Sequence, residues 1–130
     1  MNKIKFLVCV VLTPLFFAQA FESFLGNWAG FYQYAGNSKK TCDASMYVFK
    51  NTEERYLSMW GIDQEEGENH GIAEFGVAND NIPYSCEWDS DPFKCTYWQF
   101  IGNHELRGFR YEATNKSSKL IGYFYLHRKI

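Results

Sequence analysis

Tyr84-Ser85-Cys86-Glu87-Trp88-Asp89-Ser90-Asp91-Pro92-Phe93-Lys94-Cys95-Thr96-Tyr97-Trp98 reads as two strands and the turn that joins them. Asp89-Ser90-Asp91-Pro92 is turn chemistry, because Asp and Ser side chains bond the local backbone and Pro presets φ. A hairpin centred between Ser90 and Asp91 sets Cys86 directly opposite Cys95. Facing strand residues have Cβ atoms ~4.5–5.5 Å apart, near bridging range. Pro92 lacks the N–H that the closing pair of a two-residue turn would need. A four-residue loop keeps the same register and removes that objection. The spacing favours a Cys86–Cys95 disulfide, and closing a loop of about ten residues should stabilise the fold by roughly 2.5–3 kcal/mol. Cys42 is the rival partner for either cysteine. Left over, it is either a buried inert thiol or the link of a possible dimer.

Working outward from this hairpin, segments rich in aromatic and β-branched residues recur with polar, Gly-containing breaks between them. Eight candidate strands result: Trp28 to Tyr34, Ala44 to Lys50, Arg55 to Ile62, Gly71 to Ala78, Tyr84 to Trp88, Phe93 to Ile101, Glu105 to Ala113 and Lys119 to Lys129. Phe21 to Leu25 suits a short turn of helix. In the fourth strand Gly71, Ala73, Phe75 and Val77 share a face; in the fifth, Tyr84, Cys86 and Trp88 oppose Ser85, Glu87 and Asp89. The eighth is apolar on both faces, so its outer face should be covered too. Eight short strands with short connections predict an all-β domain, a single antiparallel up-and-down β-barrel, because closure satisfies every strand edge. A β-sandwich of the same strands is the alternative.

The chain starts differently. Lys3 and Lys5 precede an apolar run from Phe6 to Phe17, broken only by Thr13 and Pro14, and Ala18-Gln19-Ala20 supplies small residues for a peptidase. This is the pattern of a secretory signal peptide over residues 1–20. The run is too short for a bilayer span, which takes ~20 apolar residues. Cys9 would leave with it. The expected mature domain, residues 21–130, carries 11 Lys+Arg against 15 Asp+Glu, a net charge of −4. No basic excess points to nucleic acid. The expected location is secreted or periplasmic, where disulfides form.

Leu25-Gly26-Asn27-Trp28 opens the first strand, and here the sequence resembles the lipocalin and fatty-acid-binding (calycin) superfamily. Those families begin their barrel with Gly-x-Trp and place an Arg late in the last strand to pack across that Trp. Gly26 and Trp28 match the motif, and Arg128 is the natural candidate for the Arg. The resemblance implies a barrel architecture and leaves the ligand open. The roles are physically sensible: Gly admits the chain closely, Trp plugs the narrow end, and Arg stacks on its face.

No catalytic pattern emerges: there is no Gly-x-Ser-x-Gly, no Gly-rich phosphate loop and no close Cys or His pair with metal spacing. No cofactor is expected. His70, His104 and His127 are scattered. Asp63, Glu65, Glu66 and Glu68 suit a solvated hairpin loop and lack the calcium loop's oxygen pattern. Asn115-Lys116-Ser117 fits a glycosylation acceptor in a eukaryotic host. What stands out is the aromatic content, 12 Phe, 9 Tyr and 4 Trp in 130 residues. The expected function is a non-enzymatic binding protein that holds a small hydrophobic or amphipathic molecule inside the barrel. Trp28, Tyr47, Met59, Phe75, Tyr97, Phe109 and Tyr123 are the candidate ligand-binding residues, chosen for a plausible inward direction. The alternative is a module that binds an extracellular protein, such as an enzyme it inhibits, through loops or an exposed aromatic face. A cavity of ~300 Å³ or more supports the first, and a solid interior with exposed aromatic groups the second.

Overall fold

The computed structural model describes residues 21–37, 39–64, 67–78 and 80–129, with the side chains of 64, 67 and 68 left aside. The expected signal peptide, with Cys9, and Glu65 and Glu66 of the acidic loop lie outside the described residues. Eight strands follow one another: β1 (Gly26–Tyr34), β2 (Thr41–Lys50), β3 (Tyr56–Gln64), β4 (Gly67–Val77), β5 (Pro83–Glu87), β6 (Phe93–Ile101), β7 (Glu105–Ala113) and β8 (Ser118–Arg128). Each pairs antiparallel with its neighbour, and β8 returns to β1 from Trp28↔Arg128 to Tyr34↔Gly122, closing an up-and-down barrel. The sandwich alternative is thereby excluded, since a closed barrel has no second sheet and no free edge.

Alternation decides what lies inside. On β2, Ala44, Met46 and Val48 are buried while Ser45 and Tyr47 are exposed. On β7, Leu106, Gly108 and Arg110 are buried while Glu105 and Arg107 are exposed. A bulge between Arg110 and Tyr111 shifts the β7–β8 register by one residue. Such an insertion re-aims side chains and tightens local twist. The hairpin read first from the sequence has the expected register, Cys86↔Cys95, and its disulfide is formed with Cα atoms 4.1 Å apart.

One end of the barrel is sealed by the chain's own helical turn. The Phe24 N–H donates to the Phe21 carbonyl and the Leu25 N–H to Glu22. Gly26 then takes φ +111°, a left-handed conformation open to glycine, and turns the chain into β1. The turn drops Phe24 into the base, 5.0 Å from Phe75 and 4.6 Å from Phe100 between ring centres. Trp28 Nε1 donates to the Phe24 carbonyl at 2.8 Å. The Arg128 guanidinium lies 4.2 Å over the Trp28 ring and donates to the carbonyls of Leu25 and Ser23. A cation–π contact and two charge-assisted hydrogen bonds thus tie the last strand to the plug.

Candidate interaction surface

The side chains of the described residues fill the interior. Its central void, lined by Met46, Ser58, Ala73, Trp98, Phe124 and others, measures about 10 Å³, room for roughly one water. Eight strands give a bore that side chains just fill. Trp98 crosses it and donates from Nε1 to Ser85 Oγ at 2.9 Å.

Above Trp98 the interior turns polar. Arg110, 3% exposed, donates from Nε and Nη2 to the two Glu87 carboxylate oxygens, both at 2.8 Å. Its guanidinium also stacks 5.0 Å from Trp60 and 5.6 Å from Tyr32. Burial pulls the guanidinium's pKa down, but the hydrogen bonds and charge of Glu87 more than offset this and hold it above its ordinary value. Burial pushes the Tyr32 phenol up, against the opposing pull of Arg110. Tyr32 runs so close to β8 that a Cβ at Gly122 would collide with its hydroxyl. Cys42 keeps a free thiol at this end, half-buried against the core, so a link between two chains through it would require it to turn outward.

The candidate ligand residues do not converge. Trp28 and Phe75 are buried in the base. Tyr47 and Met59 are 45% and 55% exposed, because Met46, Val48 and Ser58 beside them take the inward positions. Tyr97, Phe109 and Tyr123 point outward too, since their neighbours Trp98, Gly108, Arg110, Gly122 and Phe124 are the buried ones. The expectation that these five face inward is therefore corrected. The interior residues that the sequence reading passed over are Glu87 and Arg110. Ser85 and Glu87 form the more polar face of their strand, which the alternation rule would send outside. The available signal was the run Leu106, Gly108, Arg110, which places the arginine in step with core positions.

The outward groups form two cross-strand rows. In the first, Tyr84, Tyr97, Phe109 and Tyr123 face one another in register across β5–β8. The Tyr84–Tyr97 centroids lie 5.9 Å apart and those of Phe109 and Tyr123 5.8 Å. The latter pair meets edge to face at 75°. In the second row, Tyr47, Met59 and Ile72 are in register across β2–β4, and the Trp88 N–H donates to the Ile72 carbonyl, which extends the row to the hairpin tip. Trp88 is 45% exposed. Beside this row Gly61 lacks a side chain, and a groove of about 360 Å³ opens there, lined by Asp43, Ser45, Met59, Asp63 and His70.

Barrel closure and the sealed base define the class: an eight-stranded up-and-down barrel consistent with a lipocalin-like (calycin) architecture. The chain matches no protein-family model and no curated protein.

Proposed function

We propose that the protein is an exported, non-enzymatic binding module that engages an extracellular or periplasmic protein through the outside of its barrel. The observation that carries this reading is the inversion of its aromatic content. The interior keeps about 10 Å³, whereas an enclosed hydrophobic ligand needs at least ~300 Å³. Meanwhile Tyr47, Met59, Trp88, Tyr97 and Phe93 are exposed on the surface. Exposed apolar groups gathered into rows mark interaction sites more than scattered ones do. The intramolecular disulfide and the apolar N-terminal run support export.

The test is native mass spectrometry of the protein from its own source, with a fluorescent fatty-acid titration. The expected result is a bare protein mass and no saturable probe binding. A co-purifying lipid-sized mass, or one-to-one probe binding that quenches the interior tryptophans, would return the ligand to the inside and overturn the reading.

A further inference from the structure

The second row is bordered by carboxylates. Asp43 and Asp63 stand on facing strands one step beyond the registered pair Ala44↔Ile62, and both line the groove at Gly61. Both are exposed, and neither makes an ion pair with a described residue. Asp89, next to Trp88, is also exposed and makes no ion pair with a described residue. Glu74, Glu22 and Glu87, by contrast, are paired with Arg55, Lys50 and Arg110. Lys94, the nearest lysine along the hairpin, turns its ammonium to the Pro92 carbonyl instead. Like charges on facing strand positions destabilise a sheet. Here they border the apolar row that includes Met59, the most exposed large apolar side chain among the described residues.

We propose that the Tyr47–Met59–Ile72–Trp88 row and its aspartate border form a docking surface for a cationic protein segment, with apolar residues on the row and an Arg or Lys side chain in the Gly61 groove between Asp43 and Asp63. This rests on the exterior-binding reading above and names the surface and the chemistry of its partner. An apolar centre with a charged rim is the usual anatomy of an interface, and complementary rim charge steers encounter. At about 360 Å³ the groove at Gly61 has room for a long basic side chain, whose stem can lie along Met59 while its head reaches the carboxylates.

The experiment titrates the ¹⁵N-labelled protein with a short peptide of alternating leucine and arginine, and with its glutamate counterpart. The arginine peptide should shift amides of Ser45, Met59, Gly61, His70 and the Trp88 indole, and bind more weakly as salt rises. The glutamate peptide should leave them unmoved. Asp43→Asn with Asp63→Asn should weaken binding about tenfold while leaving the thermal midpoint unchanged or higher, since a like-charge pair is removed. Ile101→Ser, an exposed apolar residue outside both rows, should leave binding unchanged. Shifts confined to the Tyr84–Tyr123 row, binding insensitive to salt or to the aspartate variant, or no shift at all would overturn this surface while leaving the exterior reading standing. A fatty-acid probe bound inside the barrel is the separate result that removes the exterior reading itself.

Discussion

Arg110 and Glu87 occupy interior positions where apolar side chains would ordinarily stand, and the cost of that choice can be measured. Two buried charges are tolerable because each saturates the other through two short hydrogen bonds. Removing one partner strands the other. Arg110→Met is expected to lose about 3–5 kcal/mol in urea unfolding, and the double change with Glu87→Leu to recover most of it. Loss of similar size in the double variant would show that the pair contributes net stability beyond its mutual satisfaction. Tyr56 gives a second residue-scale prediction. Burial, together with its 2.6 Å hydrogen bond to Glu22, pushes its phenol up to about 12 from an ordinary 10. A group whose folded pKa is raised contributes stability that is complete below its unfolded value and disappears as pH climbs through the folded one. Unfolding free energy should therefore fall between pH 10 and about 12, and Tyr56→Phe should flatten that slope. An unchanged slope in the variant would assign the alkaline loss to other groups. Trp28 was legible from Gly-x-Trp alone, and its burial in the base sets the size of its effect. Trp28→Ala should cost about 3–5 kcal/mol. The buried pair was not legible, because nothing near Glu87 announces a partner 23 residues away.

Among the elements, the β5–β6 hairpin shows why strands were easier to read than faces. Strand existence follows from aromatic and β-branched composition and from turn residues, all of them local. For β6 and β7 the bounds read from the sequence coincide with those observed. Which face turns inward is decided by the whole barrel. On β5 the more polar Ser85 and Glu87 go in, because Trp98 Nε1 and Arg110 wait inside for acceptors. On β2 and β3 the large apolar groups Tyr47 and Met59 go out, because Met46, Val48, Ser58 and Trp60 take the inward positions. The hairpin's disulfide carries its own prediction. Replacing Cys86 and Cys95 together by Ala should cost roughly 2.5–3 kcal/mol, read by urea unfolding, with faster amide exchange between residues 86 and 95. A cost near zero would mean that the sheet register alone holds the tip that carries Trp88.

At the scale of the whole molecule, strand number and side-chain volume set the balance between container and solid. With eight strands the same barrel either encloses a ligand or packs shut, according to the residues that fill the bore. Here Trp98, Trp60, Tyr32 and Phe124 fill it, with Trp98 and Phe124 rings 5.6 Å apart and Tyr32 and Phe124 4.8 Å apart. If closure of the interior is a matter of side-chain volume, a single truncation should reopen it. Phe124 is buried and borders the existing void, so Phe124→Ala removes a ring from its wall. The variant should lose about 3–5 kcal/mol of stability, because a rigid barrel cannot collapse around the gap. It should also gain saturable binding of a small apolar probe such as benzene, followed by the rise in thermal midpoint that a ligand bound only to the folded state produces. The unaltered protein should show no such rise. Stabilisation of both forms by the probe would mean that space for a ligand already exists inside. Stabilisation of the truncated form alone would mean that the bore is shut by packing, which leaves recognition to the outer faces.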